Sequence, residues 1–179
     1  MAEQEDASPA PPVGCRPEVG SALSRVPVGA VLGLWEPGRY GGFELPLTTG
    51  TPVWFETLTT GFDRALGFYR DVLGWDIAWM GGEEGGSEGG VRYVTHGAGD
   101  AAVAGLCDAS DWLPEGAPSF WRVYFSVEDT DRALERIQEL GGELVDGPMD
   151  SPFGRLATVR DPFGAMFQII QPPQREPQA

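Results

Sequence analysis

The tetrad Asp63-Arg64-Ala65-Leu66 recurs 68 residues later as Asp131-Arg132-Ala133-Leu134. Carried along the chain, the same offset aligns Tyr69 with Ile137, Val72 with Leu140, Gly74 with Gly142 and Ile77 with Val145. One helix-to-strand unit has been used twice, and two copies in a short chain imply a pseudo-symmetric fold. A second echo lies upstream: Pro27-Val28-Gly29-Ala30-Val31-Leu32 matches Pro162-Phe163-Gly164-Ala165-Met166-Phe167 at an offset of 135, about twice the first. Residues 27–37 therefore read as the last strand of a preceding unit, and residues 25–50 as that remnant plus a linker.

The periodicity fills in each unit. Pro52–Thr59 reads as a strand, followed by a helix from Phe62 to Leu73 whose Phe62, Ala65, Leu66, Tyr69, Val72 and Leu73 form one apolar face. Gly74 is its expected C-cap. Segments 75–80, 91–96 and 102–107 alternate as three further strands. The second copy opens at Phe120–Val127 and continues with a helix from Thr130 to Leu140 behind Asp129 as N-cap, closed by Gly141-Gly142. Strands near 143–146, 155–160 and 164–170 complete it. Asp161-Pro162-Phe163-Gly164 has the residue order of a type I turn, so the last two strands form a hairpin. The expected fold class is α+β, two βαβββ units.

The glycine-rich run 81–90 (GGEEGGSEGG) is a hairpin connection and not a phosphate loop, since no helix follows it and its glutamates would repel a phosphate. Residues 1–24 and 173–179 carry no periodicity and read as disordered.

A formal net charge of −15 excludes nucleic acid and anionic membrane as partners, because both would be repelled. Two cysteines, Cys15 and Cys107, make neither a disulfide framework nor a metal-type spacing. The N-terminal stretch lacks a secretory pattern, and no apolar run is long enough to span a membrane. The cytoplasm is the expected compartment.

Two βαβββ units, with Phe68-Tyr69 and Leu73-Gly74 after the first strand and Asp161-Pro162 with Gly164 at the end, resemble the vicinal oxygen chelate superfamily of glyoxalase I, bleomycin-resistance proteins and extradiol dioxygenases. The resemblance covers residues 51–172. The stretch from Gly29 to Trp35 and on through Gly41–Leu45 further resembles the junction of tandem-module members common in actinobacteria. It implies a tandem protein reduced to its second module, with a homodimer restoring the missing pairing.

The resemblance also implies a mixed sheet curled into a cup, with helices on its outer face and metal ligands at four cup-facing positions. Those positions fall on Trp54, Gly105, Arg122 and Gln168, of which only Gln168 could ligate a metal. No metal and no other cofactor is therefore expected.

Strand alternation and the 68-residue offset agree on the rest of the lining. Trp54, Glu56 and Leu58 share a face, as do Arg122, Tyr124 and Ser126, while Val53, Phe55, Trp121, Val123 and Phe125 face the helices. Trp54, Glu56, Arg122, Tyr124, Ser126 and Gln168 are the candidate ligand-binding residues, a set of aromatic walls with a few polar groups. Glu56 and Arg122 either act on a ligand, as base and as oxyanion partner, or simply neutralise one another.

His96 ends a strand and reads as a surface or hairpin residue. Cys107 either lines the cup or is a buried structural thiol, and Trp112 either covers the cup mouth or packs the linker down. Two classes of function follow: a bleomycin-resistance-like protein that binds a small aromatic or cationic organic molecule without chemistry, or a lyase, isomerase or oxygenase with Glu56 as base. A third reading has a metal held by Glu56 and Gln168 with ligands from a partner subunit.

Overall fold

The computed structural model describes residues 21–36, 46–81 and 90–173. Cys15, the expected disorder at 1–20 and 174–179, the family-like stretch at 41–45 and most of the glycine-rich connection (82–89) lie outside the described residues.

The first unit contains β3 (Pro52–Thr59), α1 (Phe62–Leu73), β4 (Ile77–Trp79), β5 (Tyr93–His96) and β6 (Ala104–Asp108). The second contains β7 (Phe120–Ser126), α2 (Thr130–Glu139), β8 (Glu143–Ser151), β9 (Gly154–Arg160) and β10 (Met166–Gln171). Ahead of both, β1 (Ser21–Arg25) and β2 (Val31–Trp35) form a separate antiparallel pair. The other eight strands make one mixed sheet ordered β4-β5-β6-β3-β7-β10-β9-β8. Each unit contributes four strands with its first strand innermost, and β3 meets β7 antiparallel at the centre. The register there joins Trp54 to Tyr124 and Glu56 to Arg122. Because Trp54 and Arg122 are repeat equivalents, as are Glu56 and Tyr124, these four residues straddle the pseudo-twofold axis.

Both helices cover the same face. Phe62, Ala65 and Tyr69 of α1 pack on Val94 and Leu106 of the sheet, with Val26 and Ala30 of the β1–β2 turn closing the cluster. Tyr69 is fully buried, stacked on Trp75 at 4.6 Å, with its hydroxyl 3.2 Å from Thr57 Oγ1. Under α2 the cluster is Leu134, Ala157, Val159 and Ile169. Gly74 caps α1 in the left-handed conformation (φ 68°), and Asp129 caps α2 by accepting the Arg132 N–H at 2.9 Å.

The structure corrects several expectations. Residues 21–24 are not a featureless head but part of β1. Val72, expected on the apolar face of α1, is exposed and is not among the residues packed in its cluster. Phe55 belongs to neither helix-covered cluster and is partly exposed. Trp75 precedes β4 and serves as a packing residue, while β8 runs five residues beyond the expected Asp146.

The upstream echo is structural as well. Arg25↔Val31 through Ser21↔Trp35 reproduces, at the 135-residue offset, the register of Arg160↔Met166 through Leu156↔Ile170. The turns match too: Val26 N–H donates to Ala30 O and Gly29 N–H to Val26 O, as Asp161 N–H does to Ala165 O and Gly164 N–H to Asp161 O. Gly29 and Gly164 share positive φ, 103° and 97°. The β1–β2 hairpin is a third copy of β9–β10.

Candidate functional site

The face opposite the helices carries a polar cluster on the pseudo-twofold axis. Glu56, on the central strand β3, is only 3% exposed. A buried carboxylate is costly unless its oxygens are satisfied, and here each has donors. Oε1 accepts from Arg122 Nε at 2.8 Å, from Arg122 Nη2 and from the Tyr124 hydroxyl. Oε2 accepts from the Tyr93 hydroxyl at 2.9 Å, which in turn accepts from Trp54 Nε1 at 2.9 Å.

Arg122 is held from several sides. Its Nη2 also donates to the Tyr124 hydroxyl at 3.0 Å, and its guanidinium lies 5.4 Å from that ring's centroid. With the Gln168 amide oriented to satisfy every neighbour, its oxygen accepts from Arg122 Nη1 and Thr158 Oγ1, both at 2.8 Å, and its nitrogen donates to Ala157 O at 2.9 Å. Burial alone would lower the Arg122 pKa, but the Glu56 carboxylate and Tyr124 more than offset it, so the guanidinium stays charged. Burial and the Glu56 charge raise both tyrosines, Tyr93 and Tyr124, well above the ordinary phenol value, so both remain neutral donors.

Of the six sequence candidates, Trp54, Glu56, Arg122, Tyr124 and Gln168 are thus brought into one network. Ser126 is not part of it. Buried at the end of β7, it exchanges backbone bonds with Gly50 and Thr51 and lines a separate groove of about 380 Å3 with Thr48 and Gln171.

Tyr93 is the member that sequence reasoning missed. It reaches Glu56 because Gly105, beside Glu56 in the β3–β6 register, has no side chain: a Cβ there would lie 2.0 Å from the Tyr93 hydroxyl. A glycine inside a strand pattern marks such close approaches, and that signal was available in the sequence.

The remaining candidates have structural roles. Cys107 is buried among Leu58, Ala109, Tyr93, Leu113 and Phe120, and burial pushes its thiol up to about 12, so it stays protonated and is no nucleophile. His96 stacks on Trp75 at 5.5 Å while its Nδ1 accepts the Asp76 N–H. Trp112 is exposed, and the linker is held down by Leu113 instead.

A divalent ion, which the fold family implies, does not fit these residues. The four ligand positions present an indole, no side chain, a guanidinium and an amide. Glu56 and Gln168, the two oxygen donors nearest to that role, both hold Arg122, so a cation already sits between them. Among the described residues no three of His, Cys, Asp and Glu converge.

A pseudo-twofold pair of βαβββ units around a cup-side polar cluster defines a glyoxalase-like α+β protein. The chain belongs to the Glyoxalase/Bleomycin resistance protein/Dioxygenase superfamily, whose family model matches residues 52–169. It is 38% identical over 147 residues to CFP32 of Mycobacterium bovis, a protein provisionally named a glyoxylase, covering 82% of this chain and 53% of that one. It is 34% identical over 145 residues to the anthracycline biosynthesis protein DnrV of Streptomyces peucetius, covering 81% of this chain and 50% of that one. The chain spans about half the length of the curated relatives it matches. Methylmalonyl-CoA epimerase of Streptomyces coelicolor shares the fold at TM-score 0.51 and 18% identity, over 73% of this chain and all of that one. The hypothetical protein BH1468 of Bacillus halodurans does so at TM-score 0.52 and 13% identity, over 72% and 98%. No helix among the described residues is long and apolar enough to cross a membrane.

Proposed function

We propose that the protein binds a small aromatic or cationic organic molecule in its cup and sequesters it without a metal centre, as a cytoplasmic homodimer. One observation carries this reading: most of the polar groups that line the cup are spent on one another. Arg122 and Glu56 neutralise each other, Tyr93 and Tyr124 hold Glu56, and Gln168 holds Arg122. A fixed floor beside the partly buried Trp54 suits recognition of an aromatic plane. The relative named for anthracycline biosynthesis, a chemistry of fused aromatic rings, supports a ligand of that shape.

The test is equilibrium dialysis against a panel of hydroxylated polycyclic aromatics, followed by mass analysis of the recovered compound. One bound equivalent per chain, recovered unchanged and weakened roughly two- to tenfold by Trp54→Ala, is the expected result. Absence of saturable binding by any of them overturns it.

One feature favours a second reading. Among the described residues Oε2 of Glu56 takes a single donor, Tyr93, and so keeps acceptor capacity for a substrate proton. If a panel compound is converted, Glu56→Gln should abolish turnover and leave binding, and unchanged turnover removes Glu56 as base.

A further inference from the structure

Resting on the cup as the ligand site, we infer that the ligand is an uncharged aromatic molecule bearing a hydrogen-bond acceptor, a ketone-type oxygen, that is read by Arg122 and not by Glu56. The argument is a donor and acceptor count. Guanidinium has five N–H groups. Nε donates to Glu56, Nη2 donates to Glu56 and Tyr124, and one Nη1 hydrogen goes to Gln168. One Nη1 hydrogen is left, on a side chain that keeps 24% of its surface exposed. The Glu56 side chain keeps 4% and is screened by both tyrosines and Arg122. Trp54 Nε1–H is spent on Tyr93, and the hydrogens of the Tyr93 and Tyr124 hydroxyls are spent on Glu56. Among the described residues the cluster therefore offers a ligand one donor, next to an aromatic surface.

Charge narrows the class further. The guanidinium is already neutralised by a carboxylate in hydrogen-bond contact, so an anionic ligand meets no uncompensated positive charge to offset its own desolvation. A cationic ligand finds the carboxylate almost wholly buried and its charge already compensated by Arg122. A neutral carbonyl accepts the remaining N–H without adding charge to the site.

Four probes of nearly equal shape separate the possibilities: methyl naphthyl ketone, ethylnaphthalene, naphthoate and naphthylmethylammonium, each titrated calorimetrically into the full chain. The ketone is expected to bind about tenfold tighter than the hydrocarbon and the ammonium, and at least as tightly as naphthoate. In the Glu56→Gln/Arg122→Gln double variant, which removes the guanidinium without stranding a buried charge, the ketone's advantage should shrink to about twofold or less. If the ammonium or naphthoate binds tightest, or ketone and hydrocarbon bind equally, the inference fails while the cup remains a binding site. If the advantage survives the double variant, Arg122 is not the reader. If none of the four binds, the cup reading falls with it. The wild-type series alone decides the ligand class should the variant not fold.

Discussion

At the scale of single residues, two glycines on regular elements predict opposite outcomes for one substitution. Gly105→Ala places a methyl group 2.0 Å from the Tyr93 hydroxyl, which must leave Glu56 and release Trp54 Nε1. The buried carboxylate then loses the Tyr93 donor at Oε2, and we expect destabilisation of about 1–3 kcal/mol. Gly67→Ala on α1 meets nothing within 4 Å, and removing a helix-interior glycine should stabilise by about 0.5–1 kcal/mol. Urea denaturation of both variants checks the pair, and equal effects would refute the packing argument. The same two strands show what was legible beforehand. Alternation on β3 and β7 and the 68-residue repeat suffice to put Glu56, Arg122 and Tyr124 on one face. Tyr93 escaped because the glycine-rich connection breaks the constant offset, and because its role depends on an atom that Gly105 lacks.

Among elements, the two helices are sequence repeats with different N-termini. Asp129 caps α2 through the Arg132 N–H, and Thr130 ties that end to the sheet by donating from N to Gln171 Oε1 and from Oγ1 to Arg155 O. The equivalent of Asp129 in α1 is Gly61, which has no capping side chain; a Cβ there would lie 2.9 Å from Val28 Cγ1 of the β1–β2 turn. The hairpin has taken the space of a cap, and Arg64 Nη2 donates to Pro27 O across the same junction. Asp129→Ala should therefore cost about 1 kcal/mol, whereas Gly61→Asp should bring no matching gain and should loosen the turn. Thermal unfolding of the two variants decides, and a stabilised Gly61→Asp protein would contradict the account. Helix ends were legible because caps are local chemistry. The strand β1 was not, although Ala22 and Arg25 repeat Ala157 and Arg160 at the 135-residue offset, because the echo is strongest in the turn and weak along the strand.

For the whole molecule, the third copy of the β9–β10 hairpin sets the question of assembly. Within the second unit, β10 is covered along its other edge by β7 in parallel register. Its counterpart β2 pairs only with β1 among the described residues. The hairpin is anchored through its turn, where Val26 and Ala30 are buried, and through Leu32 of β2, which packs on the same cluster, while Leu23 and Val31 remain 70% and 50% exposed. Apolar strands projecting from an otherwise acidic chain form an edge on which backbone pairing and apolar burial can combine. A second copy supplies the same edge in reverse, as a twofold interface requires. Each copy carries a formal charge of −15, so the association should strengthen with added salt as the repulsion is screened. Sedimentation velocity of the full chain is expected to show a dimer that gains population between low and physiological ionic strength. Leu23→Asp, at an exposed position, should shift it towards monomer without altering the fold or the cup. A monomer at every concentration and salt would overturn the homodimer, and a dimer indifferent to Leu23→Asp would place the interface away from the hairpin.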